Sequence, residues 1–408
     1  AEKLDRMLAS ADVVFDALLG TGLTGASRSP IDRTIRCLTQ TAARIVAVDL
    51  PSGMNADTGL DEGVVADTTV TFGALKPAHV AQPSRSKCGA LSVVDIGLCE
   101  NAITARSSRH VSFGASDPAL PVRARTVHKG DTGRVAIIAG SVGLTGAACL
   151  ASLAALRSGA GLITLGLPET LNDIAEVKLT EVMTRPLPEV KKHRCLSLRA
   201  CSEIRRLIDG ADAIALGPGL GRHRETADLV RRLIHDLTAP TVLDADGLNA
   251  FEGQADLLRA ASQPLILTPH AGEFKRLTGV KPTDPVSAAE MLASQTRAIV
   301  VLKGAPTIVA LPDGKSFVNV SGNPGMATGG TGDVLAGILA SQIAQGLDPE
   351  NAALAGVYLH GLAGDLAMDK LGERGLIASD LVAALPEAEQ LARTGEGIRR
   401  YVDYRQRV

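Results

Sequence analysis

The feature that most constrains this chain is a rhythm. Short apolar runs recur along it, each stopped by a Gly, Pro, Asp or His turn, and longer helical patterns separate them. "GRVAIIAGS" leads into the Ala/Leu-rich helical pattern "GAACLASLAALRSGA". "GLITLGLP", "ADAIALGPGLG", "APTVLDADGLNAF", "QPLILTPHAGEF" and "AIVVLKGAPT" follow. An apolar run of strand length with little alternation fits a strand buried on both faces, and strand, helical crossover, strand is the unit of a parallel sheet. The expected fold class is therefore α/β, a mostly parallel sheet covered by helices on both faces. Ligands bind such sheets at the carboxyl ends of the strands. A shorter series precedes it: "DVVFDALLG", "RIVAVDLPSG", "DTTVTFGALKP" and "GALSVVDIGL". Between the two series, "NAITARSSRHVSFGASDPALPVRARTV" is polar, basic and irregular, which suits a linker or the entry to a new domain. The expected division is residues 1–105, a linker or domain entry over 106–127, and a larger domain over 128–408.

Composition narrows the functions. Of 408 residues 45% are hydrophobic, enough for more than one core. With 42 basic and 44 acidic side chains, 2% aromatics and no Trp, neither a nucleic-acid footprint nor a base-stacking surface is expected. Cys37, Cys88, Cys99, Cys149, Cys195 and Cys201 form no C-x-x-C pair, so free thiols in a reducing cytoplasm are expected rather than a disulfide framework or zinc site. No run reaches the roughly 18–20 apolar residues of a membrane span. The opening "AEKLDRMLASADVVFDALLG" has no basic stretch leading into an apolar core, and it does not begin with Met. It reads as a cut start rather than a signal peptide.

One stretch carries the most chemistry. In "NPGMATGGTGDVLAGILASQIAQGL", Val334, Leu335, Ile338, Leu339 and Ile343 recur at helical spacing, so Gly329, Gly330 and Gly332 open a helix with Asp333 in its first turn. Free N–H groups there make an anion site, and glycine lets a phosphate come close. A carboxylate at that point suits a base facing a transferred phosphoryl group. A glycine loop with an N-capping Asp is the equal alternative on residues alone. No Gly-Lys-Ser/Thr follows, and Leu335 occupies the third glycine position of a dinucleotide fingerprint, so neither of those motifs is present. Lys303 ends a strand before a Gly-Ala-Pro-Thr turn that could receive a nucleotide. His270 and Glu273 follow another strand, where a lone His is more often structural. Gly219 lies in a Gly/Pro loop open to close approach.

"VHKGDTGRVAIIAGS", "TGAACLASLAALRSGAGLITL", "LGPGLG", "LDADGLNAF", "LTPHAGEF", "VVLKGAPT" and "NPGMATGGTGDVLAGILA" stand in the order seen in nucleotide-dependent NAD(P)HX dehydratases of the ribokinase-like superfamily. Residues 120–395 resemble that family. The resemblance implies a three-layer α/β/α domain. It assigns Asp333 as substrate contact and base, and Ala147, Gly219 and His270 as further substrate contacts. Lys303, Gly304, Ala305, Pro306, Thr307 and Gly332 fall to the nucleotide. It implies Mg²⁺ and ADP or ATP as phosphoryl donor, with ADP expected from the two-domain arrangement. Substrates would be NADHX and NADPHX, in a cytoplasmic enzyme of metabolite repair that forms a homo-oligomer.

"DALLGTGLTG", "VAVDLPSGMNADTG", "TVTFGALKPAHV" and "VVDIGL" resemble the second half of the Rossmann-like NAD(P)HX epimerase domain. The resemblance gives Asp16 and Ser52 to a potassium ion, and Asp49 and the Gly20, Thr21, Gly22, Leu23 loop to substrate. The family's earlier Asn/Gly-rich loop is not in the sequence. An N-terminally incomplete domain with little epimerase activity is expected. A kinase of a small alcohol or vitamin precursor, and a non-catalytic cofactor-binding protein, are the alternatives.

Overall fold

The computed structural model describes residues 2–23, 25–57, 63–98, 109–112, 120–121, 126–395 and 403–405. They fall into two compact units, residues 1–107 with 398–408, and residues 108–397.

In the first unit β1 (Val13–Asp16), β2 (Arg44–Val48), β3 (Thr68–Phe72) and β4 (Ala90–Val94) pair in chain order, all parallel. The strand Asp403–Arg405 adds parallel to β4. Alternate residues of a strand share a face, and residues three apart on a helix share one too. Hence Ile45 and Ala47 of β2 meet Ile35 and Leu38 of the helix Ile31–Leu38, with Val64 and Ala66 completing the cluster. Burying each such Ile or Leu contributes roughly 1.5–3 kcal/mol.

The second unit is built on one ten-stranded sheet. Its strands are β5 (Arg109–Ser112), β6 (Arg134–Ile138), β7 (Leu162–Pro168), β8 (Met183–Leu187), β11 (Ala213–Leu216), β12 (Thr241–Leu243), β13 (Leu265–Leu267), β14 (Ile299–Leu302), β15 (Thr307–Ala310) and β16 (Ser316–Asn319). The two-residue strands β9 (Glu189–Val190) and β10 (Cys195–Leu196) form a separate hairpin. The sheet order is β5-β16-β15-β14-β13-β12-β11-β6-β7-β8, parallel from β14 to β8, with β15 antiparallel to both β14 and β16. The helices Thr145–Arg157, Thr331–Ala344 and Pro349–Leu371 pack into the main core. From Val334 to Ala344 every residue is buried, so this helix is enclosed on all sides instead of showing one apolar stripe.

The mostly parallel α/β architecture agrees with the sequence. β5 falls inside the stretch read as a linker or domain entry and pairs parallel with β16 at one end of the larger sheet, whereas Asp403–Arg405, expected in the larger domain, lies in the first unit's sheet. Cys37, Cys88, Cys149, Cys195 and Cys201 are free thiols; Cys99 lies outside the described residues. No helix among the described residues is long and apolar enough to cross a membrane.

Candidate active site

Three adjacent parallel strands end together, and the residues just past their ends meet. Asp244 follows β12, Thr268 follows β13, and Lys303 follows β14. The Lys303 ammonium lies 2.7 Å from Asp244 Oδ1 and 3.7 Å from Glu273 Oε2, while the Thr268 hydroxyl donates to Asp244 Oδ1 at 2.6 Å. Burial pushes the Lys303 ammonium down, but the charges of Asp244 and Glu273 and the Asp244 hydrogen bond outweigh it, so its pKa is raised. Glu273 is held there by a capping box at the helix Ala271–Thr278. His270 Nδ1 accepts the Gly272 N–H at 2.9 Å, and Glu273 Oε2 accepts the His270 N–H at 2.9 Å. The cap occupies Nδ1, Nε2 lies 3.5 Å from Glu273 Oε1, and the His270 side chain as a whole is 53% exposed.

The helix Thr331–Ala344 begins beside this cluster. Its N-cap, Gly330, has φ +95°, a left-handed turn that glycine adopts without strain. The first-turn N–H groups have no intrahelical partner. A methyl group built on Gly332 would lie 3.1 Å from Lys303 Nζ, so the ammonium sits directly against this turn. Asp333 is half-buried there. Burial and the carboxylate of Asp244 push its pKa up, Lys303 pulls it down, and Asp246 and Glu273 push it up again, to about 7.

The helix Pro349–Leu371 steadies the preceding loop. Asp365 accepts the Gly322 N–H at 2.9 Å and the Asn323 amide at 2.8 Å. His360 Nε2 lies 2.8 Å from the Thr331 carbonyl oxygen, and burial pushes that imidazole down to about 4, so it is neutral and donates.

Gly219 has φ +62°, and a side chain there would press within 2.7 Å of the Leu144 carbonyl and 3.0 Å of Ala147 Cβ. The two positions thus form one surface at the start of the helix Thr145–Arg157. A side chain on Gly330 would reach 2.6 Å from Leu150 of that same helix. Gly304 and Thr307 close the tight turn from β14 to β15, the Thr307 hydroxyl donating to the Gly304 carbonyl at 3.1 Å. Lys303, Gly332 and Asp333 are thus contiguous, and His270 joins them through Glu273.

The first unit gathers a second set at its own strand ends. Asp16 closes β1 and is 1% exposed; its Oδ2 accepts the Ser52 N–H at 2.7 Å and its Oδ1 the Leu18 N–H at 3.5 Å. The Ser52 hydroxyl binds the Leu19 backbone, and Asn55 donates to the Leu23 carbonyl at 3.1 Å. Gly20, Thr21 and Gly22 lie on an exposed loop. Asp49, just past β2, has φ +68°. Its Oδ1 accepts from Lys76 Nζ, the Thr71 hydroxyl at 2.8 Å and the Phe72 N–H at 3.3 Å. Among the described residues no three or more His, Cys, Asp or Glu side chains form a metal cluster.

The sequence reading did not single out Asp244, Asp246, Thr268, His360 or Asp365. Asp244 and Asp246 sit in the quoted "LDADGLNAF", and an acid one residue past a buried strand was the available signal. His360 and Asp365 sit inside a helical pattern, which carries no such signal.

A family model described as NAD(P)H-hydrate dehydratase matches residues 135–387, and one described as YjeF-related protein N-terminus matches residues 1–78. The chain is 42% identical over 393 residues to the bifunctional NAD(P)H-hydrate repair enzyme Nnr of Moorella thermoacetica, covering 94% of this chain and 74% of that protein. It is 38% identical to the enzyme of the same name from Thermofilum pendens, over 95% of this chain and 75% of that one. Among solved structures it resembles the ADP/ATP-dependent NAD(P)H-hydrate dehydratase of Bacillus subtilis co-crystallised with ATP/Mg²⁺. That likeness has TM-score 0.58 and 32% identity, and covers 67% of this chain and 94% of that one. A ribokinase-like superfamily protein of Enterococcus faecalis aligns with TM-score 0.60 and 25% identity, over 70% of this chain and 97% of that one. The match over residues 1–78 gives no support to the expectation of an incomplete N-terminal domain.

Proposed function

The chain belongs to the bifunctional NAD(P)H-hydrate repair enzyme family, whose dehydratase part has the ribokinase-like fold, and on that premise we propose a nucleotide-dependent dehydration of (S)-NADHX and (S)-NADPHX at Asp333. The observation that carries the reading is Asp333 itself. It is a half-buried carboxyl titrating near neutrality, in the first turn of a glycine-opened helix, beside the Lys303 ammonium. A base is most effective when its pKa lies near the working pH. Asp333 takes the proton of the substrate's 6-hydroxyl as that oxygen bonds to the terminal phosphorus of ADP or ATP, which releases AMP or ADP. The ring nitrogen then supplies the electron pair that expels phosphate with the C6–O bond. Loss of the neighbouring C5 proton restores the dihydropyridine.

The first-turn N–H groups and Lys303 face the transferred charge. Lys303, Gly304, Ala305, Pro306, Thr307 and Gly332 hold the nucleotide; Ala147, Gly219 and His270 line the nicotinamide side. Mg²⁺, which binds through one or two carboxylates and substrate phosphates, would neutralise the donor phosphates. We favour ADP as donor. The test incubates the protein with (S)-NADHX, Mg²⁺ and each nucleotide, and follows NADH and phosphate together. Equal release of both supports the reading. A stable phosphorylated product, or no NADH with either nucleotide, overturns it.

For the first unit we propose the epimerase half of the repair, with Asp49 and the Gly20–Leu23 loop toward the substrate. Asp16 is deeply buried and accepts one short and one long hydrogen bond, so it retains acceptor capacity that a hard cation such as K⁺ would fill together with Ser52. Feeding the R epimer alone tests this. Conversion above the spontaneous rate that Asp49→Ala abolishes supports it; conversion at the spontaneous rate confines repair to the second unit.

A further inference from the structure

We propose that Asp244 is a positioning residue for the dehydratase reaction: it holds the Lys303 ammonium against the turn before Asp333 and keeps it from pairing fully with Asp333. The inference rests on the reading of Asp333 as the base.

Asp244 is 1% exposed and clamped at its backbone. Its N–H donates to the Leu216 carbonyl at 3.1 Å, and a side chain on Gly217 would strike its carbonyl oxygen at 1.9 Å. The next residue, Ala245, has φ +48°, a left-handed conformation that costs energy for a residue with a Cβ and persists only when the surroundings impose it. One oxygen, Oδ1, receives both the Thr268 hydroxyl and the Lys303 ammonium, which fixes the carboxylate. A buried ion pair is weak evidence for stability, since apolar side chains of similar volume often do as well. What this pair achieves is placement of a cation. Lys303 Nζ stands 3.1 Å from where a Gly332 side chain would begin, so any residue but glycine there would crowd it.

The groups that act on Asp333 include the carboxyls of Asp244, Asp246 and Glu273, which raise its pKa, and the ammonium of Lys303, which lowers it. His360 lies near Lys303 and Asp244 and is neutral. Two of the three acids, Asp244 and Glu273, also hold Lys303. Lys303 is therefore held in place for the incoming phosphoryl group, while Asp333, left only part of its charge, keeps a proton affinity suited to a base.

The test compares wild type with Asp244→Asn and Thr268→Val in the full chain, each checked for fold by circular dichroism. Two quantities are read: the pH dependence of kcat for NADH formation, and the ¹³C carboxyl titration of Asp333 by NMR, assigned with Asp333→Asn. In Asp244→Asn an anion is removed and Lys303 is freed toward Asp333. Both midpoints should move down from about 7 toward the ordinary carboxylate range. The kcat plateau should fall about tenfold or more, with KM changing less. Thr268→Val should shift both in the same direction by a smaller amount, and it decides the matter if Asp244→Asn does not fold. A loss of kcat with an unmoved midpoint would make Asp244 merely structural; unchanged kcat and midpoint would give it no role. Either overturns the proposal. Absence of NADH formation in wild type would overturn the dehydratase reading instead, and the NMR titration would still decide whether Asp244 governs Asp333.

Discussion

Asp333 and Asp49 are the same residue type, each has one lysine, and they titrate in opposite directions. Burial raises both. For Asp49 the Lys76 hydrogen bond, the Thr71 hydroxyl and the Lys76 charge outweigh it, and the carboxyl is held below its ordinary value. For Asp333 the lysine is not enough, and the carboxyl rises to about 7. The difference lies in how the cation is divided. Lys76 directs its ammonium to Asp49 Oδ1, with Thr71 and the Phe72 carbonyl as its other partners, neither of them charged. Lys303 is shared between Asp244 and Glu273 before it reaches Asp333. Asp49 is thus built to stay ionised and Asp333 to exchange a proton near neutral pH.

Asp333→Asn tests this comparison most severely. Turnover should fall about 10²–10⁴-fold, the usual size of a general base's contribution, while calorimetry finds nucleotide binding largely kept. Unchanged turnover would reduce Asp333 to a carboxyl in the helix's first turn with no part in the chemistry. Lys303→Ala comes next. It leaves the buried Asp244 carboxylate without its cation, a loss of about 3–5 kcal/mol readable by urea unfolding. It should also weaken nucleotide more than the nicotinamide substrate; equal losses would contradict separate subsites. In wild type, kcat should drop about tenfold per pH unit below about 7, because only the deprotonated Asp333 accepts a proton. A flat profile down to the ordinary carboxylate range would break the comparison.

The smallest effect is on thermal stability, and its sign differs between the two acids. Asp333 has a folded-state pKa above the ordinary 3.8 of an aspartate, so its contribution is fully favourable below that value and is lost as pH rises through about 7. Asp333→Asn should therefore stabilise more at about pH 8 than at about pH 4. Asp49 has a lowered pKa, so its contribution is present above 3.8 and lost as pH falls through the folded value. Asp49→Asn should destabilise at about pH 8 and less so in acid. Matching signs in the two variants would mean that the lysines do not act as described.

Much of this was legible in the sequence, for identifiable reasons. The strands β6, β11, β12, β13 and β14 are short apolar runs that end in turn residues, so their pattern declares them. β8 reads "MTRPL" and pairs only at the end of the sheet, β15 follows a turn without a break in composition, and β5 lies in polar, basic sequence. Those three depend on neighbours that the local pattern does not reveal. The glycines before Asp333 announced its helix start. The ion pair that tunes it did not announce itself, because Asp244 and Lys303 are 59 residues apart and meet only through the parallel order β12-β13-β14. His270 was legible as a candidate, and its capping bonds to Gly272 and Glu273 emerged only from the folded turn.

The central claim is that the substrate's own hydroxyl becomes the phosphoryl acceptor, with Asp333 taking its proton. The most direct test uses (S)-NADHX carrying ¹⁸O in the 6-hydroxyl, Mg²⁺ and unlabelled nucleotide, with the released phosphate analysed by mass spectrometry after a single turnover. The account predicts one ¹⁸O in each phosphate formed with NADH, and no labelled phosphate from Asp333→Asn on the same timescale. NADH formed with unlabelled phosphate, the ¹⁸O passing to water, would mean that the hydroxyl leaves without being phosphorylated and would contradict the account.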